Sequence, residues 1–598
     1  MGAQPLVRTN LPRRDHHTHR LSGVNERRLA RLEKMREANI SRRHQTGPLR
    51  AKTQPETRRG LVLLVEFSDV KMSDDAATQW NNRFNQQGYL LDSHVGSVRD
   101  YFVEQSYGLL TIDFDIIGPL TVSKTHDYYG TAPNSRLSDR AAEMVIEALK
   151  LANSQVNYAD YDWDGDGEVD QVYVIFAGRT SDTEAGYIWP HEWALSNAKY
   201  YGSGTGRQWL DNVSIDTYAV SNEMSDFSTL EGIGTACHEF SHCLGFPDYY
   251  DIEYMGGTAA QFWDLMDGGS YNGPQGIGEV PCPYTAFERW SAGWIDLIPL
   301  TEPCKVVGMP AINEEGVAYV INNTGNKNEY YILENRQQIT FGTGNYGHGL
   351  MVWHIDYNQS VWLSNKVNAD KDHQRMTFLP ADGSVGELIC DEEKDISYYE
   401  VSIEDEAGDP YPGSRGVTNV EQLTWFTAEK GGSKKHGNFI HHVDESSDGK
   451  ISFIYGNYVT LPAPELAMPT DITETSFTAN WLPVEGAASY TLEVKVITNE
   501  DSPAGNVMIF TGLTTTSHTI KVTETDMCYY RVQAVRFEDT SDWSEWMTVD
   551  IAASINDMPI SLSFGEGMGN VFDLSGRRLQ SIPQRGVYIQ KGKIHVTY

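Results

Sequence analysis

The 598-residue chain predicts a multidomain protein, an α/β domain followed by all-β sandwich domains. Three observations carry that reading. The length exceeds what a single hydrophobic core supports. Up to about residue 298, helix-period apolar patterns alternate with continuous apolar runs, the order of an α/β layer structure. Beyond it, helical periodicity gives way to short apolar runs between Asn, Gly and Asp turns, as in β-sandwiches.

The elements follow in order. Residues 1–59 read as a basic prosegment and linker. A charged helix with a thin Leu29, Leu32, Met35 stripe falls within 24–43, and 44–59 is a polar, basic linker. Residues 60–297 form the α/β domain. Leu61 to Phe67 is a continuous apolar run, a buried strand. Val98, Tyr101, Phe102 and Gln105 have helical spacing, and Leu110 to Ile117 alternates as a strand. Ala142, Val145, Ile146 and Leu149 form the stripe of a helix packed on a sheet, and Val172 to Ala177 is a second buried strand. Tyr284 to Gly293 reads as a further helix. Residues 298–460 form a β-sandwich domain, with runs such as Val317 to Ile321, Tyr330 to Leu333 and Leu350 to Ile355. Residues 461–553, opened by the linker Leu461-Pro-Ala-Pro464, form another domain, and 554–598 a terminal tail.

The chemistry concentrates in His238-Glu-Phe-Ser-His-Cys-Leu-Gly-Phe-Pro-Asp248. Two histidines four apart lie on one helix face and can reach one metal ion. Glu239 can project toward a water there and act as general base. Gly245 can end the helix in a left-handed conformation. That turn can bring Asp248 back as third ligand, with Asp251 the next candidate. Three protein ligands leave one position open, as catalytic zinc requires. The plain alternative is an amphipathic helix with two surface histidines. A second element argues against it: Phe262 to Ser270 is a tight, glycine-rich turn around Met266. It resembles the methionine turn beneath the zinc in metzincin peptidases. Alone, Met266 would read as a core methionine.

Together these residues resemble the immune-inhibitor-A-like metallopeptidases, whose zinc motif has aspartate in third place. Arg59 to Asp69, Ser97 to Phe102, Glu104 to Gly108, Ile188 to His191, Glu329 to Arg336 and Gly349 to Asp356 extend the likeness over residues 60 to 458. The resemblance implies a metzincin-like α/β catalytic domain and one catalytic Zn2+ on His238, His242 and Asp248, with Glu239 as base. It implies endopeptidase action on protein or peptide substrates. Trp481, Tyr490 to Val494, Tyr530 to Val535 and Ser541 to Ser544 resemble a fibronectin type III module. Val571 to Arg578 and Arg585 to Gly592 resemble the C-terminal tail of many exported Bacteroidetes proteins, against an ordinary terminal hairpin. That implies a secreted or cell-surface protein, attached or exported through the tail.

A second metal site is expected at Asp162-Trp-Asp164-Gly-Asp166-Gly167-Glu168-Val-Asp170. Its carboxylates fall at the first, third, fifth and ninth positions of a calcium loop, and the Glu168 carbonyl at the seventh. Tyr173 replaces the closing glutamate, so the EF-hand is incomplete and runs into a strand. The predicted role of Ca2+ is structural; the alternative is a solvated acidic turn. Asp409 to Gly413 and Asn368 to Asp372 read as plain turns. His191-Glu192 lacks a second histidine and reads as structural, although Trp189-Pro190-His191 could line the cleft. Tyr271 reads as packing rather than an oxyanion donor. His354 and Asp356 read as core or turn residues, and Tyr284 and Glu288 as helical surface groups.

Residues 1–59 carry a charge of +10 and the remainder −45. A basic leader can dock on an acidic body, as an inhibitory prosegment would. The acidic body argues against nucleic acid as main partner. No apolar run approaches the ~18–20 residues of a membrane span. Six scattered cysteines do not form a disulfide framework, and none precedes Cys237, so no leader thiolate can cap a zinc ion. The rival function is a non-catalytic surface adhesin using the β modules; an intact Glu239 argues against it. A thermolysin-type peptidase would have no reason for the Gly245–Asp248 spacing.

Overall fold

The computed structural model describes residues 55–551 apart from 131–139, 180–187, 189, 226–228, 392–395, 421–422, 427–432, 436–438, 458–460, 498–505, 523–526 and 537–538. It also describes the backbone of 7–9, 571–572, 578–579, 586–590 and 593–597. The chain divides into two compact units, Met1–Asn457 and Tyr458–Tyr598.

The first unit is built on a five-stranded sheet. Its strands are β1 (Glu56–Glu66), β2 (Leu110–Thr121), β3 (Val172–Phe176), β4 (His191–Ala194) and β5 (Thr217–Asn222), in the order β2-β1-β3-β5-β4. All neighbours run parallel except the edge strand β4, which is antiparallel to β5. The run in β1 is continuously apolar because helices cover both faces. Leu61, Leu63 and Val65 pack with α3 (Ala141–Ala152) on one side. Val62 and Leu64 pack on the other with α1 (Ala76–Asn85), α2 (Val98–Gln105) and α4 (Gly234–His242). The helix α4 carries both metal-motif histidines, so the sheet is the floor under the candidate site.

Two boundaries differ from expectation. Residues 56–59, read as linker, belong to β1: Glu56 to Arg59 pair in register with Leu110 to Asp113. The cause is local partners. Arg59 forms ion pairs with Asp115 and Asp160, and its carbonyl accepts from Trp163 Nε1 at 2.8 Å. Far upstream, Val7–Thr9 forms a strand antiparallel to Ile396–Ser402. The helix expected within 24–43 lies outside the described residues.

The second boundary is 297/298. A second sheet holds β6 (Leu297–Pro299), β7 (Ala318–Asn322), β8 (Glu329–Arg336), β9 (Gly349–Asp356) and β10 (Met376–Phe378), ordered β10-β9-β8-β7-β6. Val320, Ile332 and Trp353 from this sheet share one core with Val62 and Phe240. Packing therefore continues through position 297. It explains why Tyr284 and Glu288, expected on a helix surface, are fully buried. Glu288 closes a capping box with Thr285 on α5 (Ala286–Ser291), and Glu334 of β8 accepts from the Ala286 N–H. A three-stranded sheet, Cys304–Met309, Ile451–Tyr455 and Ile440–Glu445, adds a further core layer.

In the second unit, Leu466–Thr473, Ser476–Trp481 and Ser517–Lys521 form one sheet. Asn506–Leu513, Ser489–Ile497, Met527–Arg536 and Met547–Asp550 form another. Strict alternation in Ser489–Ile497 and Met527–Arg536 turns Leu492, Val494, Tyr530 and Val532 into a core with Phe477 and Trp481. The tail pairs Val571–Phe572 with Gly586–Gln590, and the latter with Lys593–Thr597. Among the described residues no helix is long and apolar enough to cross a membrane.

Candidate metal centre

Helix α4 starts hard against the methionine turn. A Cβ on Gly234 would lie 1.8 Å from the Ser270 carbonyl oxygen, so only glycine allows this approach. Four residues on, His238 faces that turn, and His242 follows one helical turn later. Gly245 then adopts φ +92°, which turns the chain after the helix. Asp248 is thereby returned to the histidines.

One donor atom each from His238, His242 and Asp248 lie within 4.8 Å of one another. Asp248 Oδ1 is 3.1 Å from His238 Nε2 and 3.6 Å from His242 Nε2. The two rings stand at 89° with centroids 4.9 Å apart. Their outer nitrogens settle the tautomers. His238 Nδ1 lies 2.9 Å from the Leu265 carbonyl oxygen, and His242 Nδ1 2.7 Å from that of Phe246. A carbonyl only accepts, so both Nδ1 atoms donate and both Nε2 atoms turn to the shared centre. Two imidazole nitrogens and one carboxylate are a donor set that fits zinc with a further position open.

Burial lowers His238, but its hydrogen bond to Asp248 and the nearby Glu239 carry it up to about 9. A proton here occupies the place an ion would take. Glu239 is buried beside the triad, its Oε2 3.9 Å from His242 Nε2. Desolvation pushes its carboxyl up to about 8, against the pull of His238 and helped by Glu192 and Asp248.

The turn around Met266 is held through its backbone. The Met266 N–H donates to Asp264 Oδ1 at 2.7 Å, and its carbonyl accepts from the Tyr249 N–H at 2.8 Å. The Met266 side chain is fully buried. Asp251 is absent from the donor cluster: its carboxylate accepts from the backbone N–H groups of Glu253, Met255 and Gly257. Asn368 likewise serves backbone alone, donating to the carbonyls of Tyr249 and Met376. Cys237 and Cys243 are buried thiols, and Cys243 donates to Gln171 Oε1. Tyr271 is half-buried just past the turn.

Glu192, read from sequence together with His191 as structural, lies at the edge of the site. It gathers with Glu239 and His242 in a second group of donor atoms within 4.8 Å. The signal was alternation along β4. His191 packs edge-on to Tyr218 on one face of the sheet, so Glu192, paired with Ala219, turns to the α4 face. Trp189 lies outside the described residues.

At the acidic loop the structure brings together Asp162, Asp164 and Asp166. Asp162 accepts from the N–H groups of Gly165, Asp166 and Gly167. The Glu168 side chain, whose carbonyl rather than carboxylate was the expected ligand, and the Asp170 side chain have protein partners. Glu168 pairs with Arg207 at 2.9 Å and Ser214 at 3.0 Å, and Asp170 accepts from the Trp163 N–H at 2.6 Å.

Residues 49–295 match the family model described as Immune inhibitor A peptidase M6, catalytic domain. Part of the chain is similar to Immune inhibitor A of Bacillus thuringiensis subsp. alesti, 29% identical over 255 residues, 36% of each protein. Part is similar to pre-pro-metalloprotease PrtV of Vibrio cholerae serotype O1, 28% identical over 295 residues, 41% of this chain and 31% of that one. The matches thus span about a third of either relative. Solved structures similar to part of the chain include the FN5 domain of Drosophila Lar, with 16% identity, 15% of this chain, 96% of that chain and a TM-score of 0.14. The fn3 domain of human collagen alpha-1(XX) has 18% identity, 17% and 96% coverage and a TM-score of 0.15. Scores this low leave the sandwich resting on its own strand pairing. The donor cluster at 238–248 lies inside the span that matches the M6 peptidase catalytic domain.

Proposed function

We propose that the chain is a zinc-dependent endopeptidase of the secreted or cell-surface space, acting on protein or peptide substrates. The observation that carries this reading is the triad His238, His242 and Asp248 with a buried glutamate beside it, inside the M6-matched span. The two relatives' names, one of them a metalloprotease, support it.

The roles follow from position. His238, His242 and Asp248 would hold the ion, and the backbone of the Met266 turn supports His238 from below. Zinc, when bound, would polarise the scissile carbonyl and acidify water. Glu239 would take a proton from water beside the triad and hand it to the leaving amine. Its place, buried beside the triad, suits both transfers. Intact ligands and an intact Glu239 stand against a purely adhesive role.

Three further readings belong to the same proposal. Asp162, Asp164 and Asp166, with the Glu168 carbonyl and Asp170, take Ca2+ as a structural ion ahead of β3. The basic leader keeps the enzyme latent by bulk and charge; the pre-pro designation of one relative supports such a leader. The tail serves export or surface attachment. The core of the proposal is tested by assaying denatured-protein hydrolysis and bound zinc before chelation, after chelation and after reloading. Activity should vanish and return with zinc. Full activity in verified metal-free protein would refute it.

A further inference from the structure

Asp248 is held by a residue 117 positions further along the chain. The Asp248 N–H donates to Asn365 Oδ1 at 2.8 Å, and Asn365 Nδ2 donates to Asp248 Oδ2 at 2.6 Å. The first bond settles the amide's orientation, because a backbone N–H cannot accept. Its NH2 must therefore face the carboxylate. Both residues are buried, Asn365 at 1% and Asp248 at 2% exposure. The two bonds fix backbone and side chain at once. With Oδ2 engaged by the amide, Oδ1 is the oxygen aimed at His238 and His242.

Asn365 follows the short helix α6 (Gln359–Leu363), in the connection from β9 to β10. Its own conformation is left-handed, φ +55°, a region that asparagine tolerates better than most residues. The same connection grips the metal loop elsewhere. Trp362 packs edge-on to Tyr249, Asn368 donates to the Tyr249 carbonyl, and Lys366 pairs with Glu253. Those contacts hold the loop in place; the Asn365 amide reaches the ligand's carboxylate itself.

We propose that Asn365 is the positioning residue of the third metal ligand, so that the β9–β10 connection, outside the M6-matched span, is an obligate part of the metal centre. The inference rests on the metal-centre reading above. A ligand freed from its orienting partner keeps its chemistry but loses its preset direction, which typically weakens metal affinity ~10–100-fold.

The test is zinc affinity by competition with a chromophoric chelator, with the visible spectrum of the cobalt-substituted protein as second readout. Asn365→Gly removes the amide and tolerates the left-handed backbone. Asn365→Asp keeps shape and acceptor but sets a carboxylate oxygen against Asp248. Both should lose about 10–100-fold in affinity and change the cobalt bands. Lys366→Ala, which cuts a neighbouring contact only, should stay at wild-type affinity. The near-isosteric Asp variant carries the test should Gly lower the melting temperature of the metal-free protein. A purely structural Asn365 would lower that melting temperature and leave affinity and spectrum unchanged, which overturns the proposal. Wild-type protein that binds no zinc, or a His242→Ala variant that still binds it, overturns the metal-centre reading and this inference together.

Discussion

The donor cluster at 238–248 and the acidic loop at 162–170 both gather ligand-type side chains, but they hold them by different means. At α4 two of the three partners come from distant chain, Leu265 and Asn365, and the third, Phe246, from the turn after the helix. Leu265, Phe246 and Asn365 orient His238, His242 and Asp248, each through an atom that does not face the shared centre. In the acidic loop the carboxylates are engaged by the loop itself, with three backbone N–H groups on Asp162. The first cluster, with His242 and Asp248 buried and His238 part-buried, is aimed before any ion arrives. In the second, Asp164 and Asp166 are exposed to solvent. Pre-aimed donors suit a site whose geometry the chemistry depends on. Self-capped carboxylates suit an ion that tightens a turn.

This contrast is broken most severely by His242→Ala. It should abolish zinc binding and reduce peptide hydrolysis below detection, measured by metal analysis and a quenched peptide. Retained zinc would show that the cluster is not the site. Asp248→Ala should weaken zinc by at least the ~10–100-fold expected for loss of an orienting partner, since here a ligand itself is removed. Unchanged affinity would mean that the third ligand lies elsewhere.

The acidic loop should respond more gently. Asp164→Ala combined with Asp166→Ala should lower the melting temperature in calcium buffer by a few degrees, as calcium chelation does in wild type. The effect follows from losing an ion that binds only the folded state. Zinc content should not change. Equal melting curves in both experiments would remove calcium from the account. The smallest effect is expected at the strand edge. Arg59→Ala breaks exposed ion pairs with Asp115 and Asp160 and should cost about 0–1 kcal/mol. A large loss in denaturant unfolding would show that Arg59 anchors the loop rather than trimming the sheet.

Local features were legible in the sequence and distant ones were not. The apolar run of β1, the stripe of α3 and the His238, His242, Gly245, Asp248 spacing each depend on neighbours within a few turns of chain. The structure brings those residues together where the spacing places them. Glu192 was missed because its strand is four residues long and its partner Ala219 lies in a segment without alternation. Asn365 was missed because nothing near it names Asp248; only the folded chain joins them. Tyr284 and Glu288 read as surface because a helical pattern cannot reveal that a later sheet covers it. The placement of residues 56–59 outside the sheet came from their charge, which ion pairs with Asp115 and Asp160 accommodate at the strand edge.

The central claim is that a metal and a buried base on α4 hydrolyse peptide bonds, and Glu239→Ala tests it most directly. The variant keeps all three ligands and loses only the proton carrier. Zinc content and hydrolysis of a denatured protein should be measured side by side with wild type. The account predicts wild-type zinc with activity reduced at least ~100–10,000-fold. Wild-type activity in a zinc-loaded, folded Glu239→Ala protein would contradict it.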